Sequence, residues 1–152
     1  VVATDGLAAA ADSAFHVFAS AAFKRDHLVG RGYVDVRPFR IFEGVNDVLH
    51  ANTFDVLAKQ HGEATPDTLR EALSAYGLSL PPDLPAGVYA CFPPAESPSQ
   101  RRRVLYGDLI AWITALAVLE KRIASDGADR PEGRRYLLRH LAARAAQLPY
   151  LQ

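Results

Sequence analysis

The run Leu109-Ile110-Ala111-Trp112-Ile113-Thr114-Ala115-Leu116-Ala117-Val118-Leu119 is strongly apolar and decides the fold class. Large apolar side chains recur at three- and four-residue spacing from Leu105 to Ile123, which is the period of an α-helix with one apolar face. We therefore predict a helix over about 99–125, ended by Gly127. The run has 11 residues, fewer than the ~20 that span a bilayer. This length favours a core helix over a peripheral membrane or partner-docking helix.

Helix signals continue on both sides of this run. Pro131 can start a final helix that extends to about Gln147. Upstream, Thr65-Pro66-Asp67 predicts a helix start with threonine as N-cap and proline in the first turn, and Gly77 fits its end. Six of the ten prolines fall in residues 77–98, which predicts a linker or an extended surface loop.

The N-terminal third also has helical spacing. Residues 3–23 are alanine-rich, with a stripe of larger apolar groups that includes Leu7, Phe15 and Phe18. Gly30 and Gly32 are expected to bracket a turn. A second helix is predicted over about 45–60, with one face formed by Val45, Val48, Leu49, Asn52 and Val56. No strand-like alternation exceeds a few residues. We predict an all-α fold, an antiparallel helical bundle with a proline-rich linker and an additional C-terminal helical pair.

Composition excludes several classes of protein. The 152 residues suffice for one domain with a sizeable core. Seventeen basic and seventeen acidic residues balance, so we expect no nucleic-acid partner. The single cysteine, Cys91, excludes an internal disulfide, and the five histidines show no paired ligand spacing, so no metal site is predicted. The chain has no methionine and begins inside a predicted helix. We interpret it as a C-terminal piece of a longer protein, or as a sequence in which modified methionines are not represented.

A carboxylate lies between an aromatic residue and a glycine in the segment Asp35-Val36-Arg37-Pro38-Phe39-Arg40-Ile41-Phe42-Glu43-Gly44-Val45-Asn46-Asp47. If Glu43 were buried among its apolar neighbours, desolvation would raise its pKa and make it a better base near neutral pH. Gly44 would let a ligand approach the backbone closely. The alternative is a surface glutamate at a turn before a helix, which is common near helix N-termini.

This segment resembles the catalytic-base region of the acyl-CoA dehydrogenases, Asp-x-Arg-x-x-Arg-Ile-[Phe/Tyr]-Glu-Gly-Thr-Asn, and is closest in motif to the very-long-chain branch. The resemblance covers about residues 3–60. Upstream, residues 16–31 are similar to the family's segment Gln-[Val/Ile]-x-Gly-Gly-x-Gly-[Tyr/Phe] followed by Val-Glu-Arg. The matching residues are Phe23, Val29, Arg31, Asp35, Arg37, Arg40, Ile41, Glu43, Gly44, Asn46 and Asp47.

The resemblance implies an FAD-dependent enzyme that converts a fatty acyl-CoA thioester to a trans-2-enoyl-CoA. Glu43 would be the catalytic base, with Phe42 and Gly44 at the substrate. The implied flavin-binding positions are His16, Ala19, Ser20, Val45 and Asp47. An electron-transfer flavoprotein is the implied electron acceptor, and a homo- or hetero-oligomer is the implied assembly.

Several flavin positions depart from the family pattern. His16, Ala19 and Ser20 replace a glutamine and two glycines, and Val45 replaces a threonine. Glycines let the backbone approach a pyrophosphate, so the added side chains are expected to weaken that contact. The alternative function is therefore a non-catalytic or heteromeric-partner helical subunit of the same family. A related flavin-dependent oxidase is a further alternative.

The resemblance also predicts the domain organisation. Residues 1–62 are expected to be a helical bundle segment of the dehydrogenase, 63–98 a short helix and linker, and 99–152 a C-terminal helical extension. The run Arg101-Arg102-Arg103 is interpreted as a solvated face, with contact to anionic lipid or to an acidic partner as the alternative. No signal peptide is predicted. We expect a bacterial cytoplasmic protein or one with peripheral membrane contact.

Overall fold

The computed structural model describes residues 2–24, 26–40, 46–89, 92 and 98–147. Across these residues the chain is helical and contains no strand, so the predicted all-α class is confirmed. Seven α-helices and two short 3-10 helices are present in the described ranges. They are α1 (Val2–Phe18), a 3-10 helix (Ala19–Phe23), α2 (Leu28–Val36), a second 3-10 helix (Arg37–Arg40), α3 (Asn46–His61), α4 (Pro66–Ala75), α5 (Ala86–Tyr89), α6 (Gln100–Asp126) and α7 (Pro131–Ala145).

The helices form two compact units, Val1–Leu49 and His50–Gln152. In the N-terminal unit, α1 packs against α2. The prediction of a turn at Gly30 and Gly32 is wrong, because α2 runs through both residues. Close packing gives the reason for a glycine there: a Cβ on Gly30 would lie 2.0 Å from the carbonyl oxygen of Ala22.

The N-terminal unit buries little apolar surface. Among its described residues, Ala22 is the buried hydrophobic residue, and none of the residues of α1 is buried. Val17, Phe23 and Leu28 are 77–80% exposed. The stripe predicted on α1 is therefore present in the sequence of the helix but is not covered within the unit.

The core of the second unit is built on α6. Trp112, Ile113 and Leu116 are fully buried, as are Leu141 of α7 and Val88 of α5. The predicted apolar stripe of α6 is thus confirmed at its centre. Each such side chain stabilises the fold by roughly 1.5–3 kcal/mol relative to an exposed one.

The buried face of α3 differs from the predicted one. Val48 and Val56 are 62% and 44% exposed, and Asn52 is also exposed. The buried residues beyond the first turn are His50, Ala51, Phe54 and Leu57. Polar His50 belongs to the core face because α6 supplies it with a carboxylate, which hydrophobic periodicity does not reveal.

Helix ends follow the predicted capping chemistry. The Thr65 hydroxyl accepts from the backbone N–H of Thr68, and the Thr68 hydroxyl accepts from that of Thr65, which closes a capping box at the start of α4. Gly77 has φ +64° after α4, and Gly127 has φ +67° after α6. Both glycines adopt the left-handed conformation that ends a helix without steric cost.

Arg134 of α7 joins two other segments of the second unit. Its Nε donates to Glu120 of α6 at 2.6 Å, and its Nη2 donates to Asp83 at 2.6 Å. These hydrogen bonds raise the pKa of Arg134 above its ordinary value. A raised pKa in a base means that the stabilisation is present below the ordinary pKa and is lost only as the pH rises through the folded value. The guanidinium of Arg134 therefore remains charged across neutral pH.

Gly107 sets how closely α3 and α6 cross. A Cβ at this position would lie 1.6 Å from the carbonyl oxygen of His50. Gly107→Ala is therefore expected to force the two helices apart and to lower the free energy of unfolding by more than about 2 kcal/mol. The measurement is urea denaturation followed by fluorescence of Trp112, the one tryptophan.

The matched control is Gly133→Ala in α7, where a Cβ would meet Leu119 at an ordinary 3.7 Å. We expect that substitution to be neutral or to stabilise by up to about 1 kcal/mol through helix propensity. Equal effects of the two substitutions would contradict the crossing constraint.

Candidate functional site

The residues predicted at the centre of the chemistry are Glu43, Phe42, Gly44 and Val45. They fall in 41–45, outside the described residues. Their roles therefore stay predictions. The described elements on either side are the 3-10 helix Arg37–Arg40 and helix α3, which begins at Asn46.

Three of the predicted flavin-binding residues lie together where α1 passes into the first 3-10 helix. His16, Ala19 and Ser20 are all exposed. Nδ1 of His16 is 2.7 Å from the carbonyl oxygen of Asp12. A carbonyl can only accept, so Nδ1 is the protonated ring nitrogen in this arrangement. Nε2 is then the nitrogen available to a ligand at this surface.

Ala19 adopts a backbone conformation that suits glycine. Its φ is +43°, and among the described residues it is the non-glycine residue with positive φ. Left-handed backbone costs an L-residue roughly 1–2 kcal/mol, because its Cβ approaches a carbonyl oxygen. The family pattern has a glycine at this position. The chain thus combines a glycine-type backbone conformation with a methyl group at this position.

Ala19→Gly should relieve this strain. We expect the substitution to stabilise the protein by about 1 kcal/mol, since glycine adopts positive φ without the steric penalty. The measurement is thermal unfolding followed by circular dichroism. Ala10→Gly, at an exposed position inside α1, is the control and should destabilise by about 1 kcal/mol. A loss of stability in both variants would contradict the strain at Ala19.

The start of α3 is fixed by Asn46, a residue that matches the family pattern. Asn46 is 5% exposed. Its Nδ2 donates to Oδ1 of Asp5 at 2.7 Å and to Oγ1 of Thr4 at 3.4 Å, which ties Asn46 itself to α1 within the N-terminal unit. Asp47 is exposed in the first turn of α3, where the helix dipole favours a carboxylate. The predicted cofactor role of Asp47 stays a prediction.

Arg37, another matching residue, is held against an aromatic ring. Its guanidinium carbon lies 4.6 Å from the ring centroid of Tyr33, and its Nη2 donates to the hydroxyl of the same tyrosine. Tyr33 in turn contacts Phe15 at 4.8 Å between ring centroids. The arginine that begins the second 3-10 helix is therefore part of the aromatic packing between α1 and α2.

A buried polar cluster in the second unit was not anticipated from the sequence. Asp108 of α6 is 6% exposed. Its Oδ1 accepts from Trp112 Nε1 at 2.8 Å and lies 3.4 Å from His50 Nε2, while its Oδ2 lies 2.7 Å from Arg144 Nε. His140 of α7 stacks on Trp112 with a 4.6 Å centroid distance and an interplanar angle of 2°.

The cluster joins α3, α6 and α7 through one carboxylate. A buried charge is tolerated when opposite charge and hydrogen bonds surround it, and Asp108 has both. The only sequence signal was the four-residue spacing of Asp108 and Trp112, which places them on one face of a helix. His50 and Arg144 are too distant in sequence for any local pattern to link them.

Removing the carboxylate should be costly. We expect Asp108→Ala to lower the free energy of unfolding by roughly 3–5 kcal/mol, because it removes the buried carboxylate that pairs with half-buried Arg144 and contacts buried His50. Urea denaturation measures this, and the emission of Trp112 should shift because its Nε1 loses its partner. Asp67→Ala is the control: Asp67 pairs with Arg70 on an exposed surface, and such pairs contribute about 0–1 kcal/mol. Equal losses would show that Asp108 has no special role.

Two features bear on the predicted membrane alternative. Val2–Phe23, 22 residues near the N-terminus, is long and apolar enough to span a membrane, on length and composition alone. It is weak evidence, and the segment changes from α- to 3-10 helix at Ala19. In the arginine run, Arg103 pairs with Asp55 of α3 at 3.5 Å, so this arginine has an acidic partner within its own unit.

Comparison with known proteins adds no assignment: no family model, no curated protein and no solved structure matches the chain.

Proposed function

We propose that this chain is the C-terminal helical domain of a flavin-dependent acyl-CoA dehydrogenase. The observation that carries the proposal is the segment from Asp35 to Asp47, in which an Arg-Ile-Phe-Glu-Gly block is followed by Val-Asn-Asp. The reaction is α,β-dehydrogenation of a fatty acyl-CoA thioester to a trans-2-enoyl-CoA. These residues alone form an incomplete enzyme, because the family's acyl pocket and flavin ring site also require other domains.

In the proposed reaction Glu43 removes the α-proton of the thioester. A carboxylate flanked by Phe42 and Ile41 gains basicity where those neighbours exclude water. The backbone N–H of Glu43 would donate to the thioester carbonyl, which stabilises the negative charge that develops on that oxygen. Bound FAD would supply the acceptor for the β-hydride.

Two structural observations are consistent with a flavin contact at the end of α1. His16 and Ser20 are exposed there, and the Ser20 hydroxyl can donate to phosphate, whereas the Nδ1 proton of His16 is already donated to the carbonyl of Asp12. Ala19 keeps a glycine-type φ of +43°. Ala19 fits the pyrophosphate end of FAD in backbone conformation, and Ser20 fits it in donor chemistry. Their side chains are larger than the glycines of the family pattern, so the contact would be less close.

The test of the proposed base is Glu43→Gln in the complete protein that carries this chain, purified with its natural partners. We expect flavin to remain bound and kcat for acyl-CoA-dependent dye reduction to fall by roughly 10²–10⁴-fold, the range for loss of a general base. Glu132→Gln, an exposed position in the first turn of α7, is the control and should leave kcat unchanged. Near-normal turnover of Glu43→Gln would refute the proposal.

The second candidate is a non-catalytic or heteromeric-partner subunit of the same family with weakened flavin binding. The substitutions at His16, Ala19 and Ser20 favour it. The poorly covered N-terminal unit is consistent with it too, since Val17, Phe23 and Leu28 require an apolar partner to leave water. In either case the chain would belong to an oligomer, with an acyl-CoA substrate and an electron-transfer flavoprotein as partners of the assembly.

Flavin stoichiometry separates the two candidates. A heteromer in which this subunit contributes a weakened site should contain fewer flavins than protomers, measured by flavin absorbance against protein concentration. An oligomer of identical catalytic subunits should contain one flavin per protomer. The second result would exclude the heteromeric-partner candidate.

A further inference from the structure

The N-terminal unit contains a cavity that the proposed chemistry does not use. Its volume is about 600 Å³, and it lies between the end of α1, the first 3-10 helix and α2. Ala22 and Gly30 contribute to its wall, where the two backbones approach so closely that a Cβ on Gly30 would meet the Ala22 carbonyl oxygen at 2.0 Å. Cavities of ~300–1,000 Å³ are the size of small-molecule sites.

Three aromatic rings line the cavity. Phe15 is central, with its ring centroid 4.7 Å from that of Phe23 in an edge-to-face contact and 4.8 Å from that of Tyr33. Phe23 is 77% exposed although it belongs to this cluster. A planar or hydrocarbon ligand body would therefore cover aromatic surface that now faces water.

The charged residues of the lining are Lys24, Arg31 and Asp35. Within the described residues, neither Lys24 nor Arg31 has an ion-pair partner within 4.0 Å. Their ammonium and guanidinium groups can therefore receive an anion without breaking an existing bridge. One carboxylate against two cations leaves a single excess positive charge, which matches a monoanion better than a dianion.

We infer that this cavity is a binding site for a small amphiphilic monocarboxylate whose ring or hydrocarbon body lies on Phe15, Phe23 and Tyr33 and whose carboxylate is bound by Lys24 and Arg31. The inference does not depend on the proposed dehydrogenase function. None of the three rings is among the residues assigned to flavin or acyl-CoA, and the site would exist whether or not Glu43 is a base.

The probe for this inference is 2-naphthoate, compared with the neutral isostere 2-naphthamide and the dianion 2-naphthyl phosphate. We expect saturable binding of 2-naphthoate to the full chain with a Kd of ~1 mM or tighter, the range for a ligand of this size. Amide chemical-shift changes in two-dimensional NMR should concentrate in residues 15–35. The amide should bind at least ~5-fold more weakly, because charge-assisted hydrogen bonds are lost.

Substitutions of the lining residues test whether 2-naphthoate binds in this cavity. Phe23→Ala should weaken 2-naphthoate binding by about 10-fold through loss of ring contact. Lys24→Gln and Arg31→Gln should each weaken it by roughly 3–10-fold at low salt and abolish the preference over the amide when combined. All three residues are exposed, so the variants should remain folded. Phe18→Ala is the control: Phe18 is another half-exposed phenylalanine of this unit, outside the cavity, and its loss should leave the Kd unchanged.

Three results would overturn the inference: no saturable binding up to 5 mM, about five times the upper Kd expected above; equal affinity for 2-naphthamide; or equal weakening by Phe18→Ala and Phe23→Ala. Tighter binding of 2-naphthyl phosphate than of 2-naphthoate would overturn the assignment to monocarboxylates. None of these outcomes bears on Glu43, whose test is the kinetic one.

Discussion

The close crossing of α3 and α6 is the constraint on which the second unit depends. The backbone of Gly107 lies directly against the carbonyl of His50, and no side chain fits between them. Because the helices are this close, the next residue, Asp108, can reach His50 of α3, and through its other oxygen Arg144 of α7. One glycine thus permits a three-helix polar cluster in a core otherwise made of Trp112, Ile113 and Leu116.

The N-terminal unit also contains a glycine that permits close backbone packing, but it buries much less apolar surface. Gly30 lets α2 approach the carbonyl of Ala22, as Gly107 lets α6 approach α3. Within the described part of this unit, however, Phe18, Phe23 and Phe39 are each about half or more exposed. Close backbone packing fixes the geometry of two helices, but the free energy of folding comes mainly from apolar area removed from water. Apolar burial therefore contributes less to the stability of the N-terminal unit than to that of the second unit.

Sequence patterns predicted the elements that local chemistry controls and failed where tertiary contact decides. The Thr65 capping box and the terminating glycines Gly77 and Gly127 were predictable because their reasons lie within a few residues. The buried face of α3 was not, because His50 is buried through a carboxylate 58 positions away in sequence, 108 − 50. Glycines cause the same difficulty: Gly30 reads as a turn signal, whereas here it is a helix contact. Of the candidate site, the sequence supplied Glu43 and the His16–Ser20 segment, but not the aromatic cavity beside it.

Ala19 distinguishes the two reasons for which a sequence motif can contain a glycine. A glycine in a motif can be required for its backbone conformation or for its lack of a side chain. In this chain Ala19 has the positive φ, +43°, together with a methyl group. An alanine free to relax to negative φ would avoid a cost of roughly 1–2 kcal/mol. The strained conformation is therefore held in place by the residues around it. A methyl group at this position also limits how closely any ligand could approach the backbone, so Ala19 meets the conformational requirement for a glycine without meeting the size requirement.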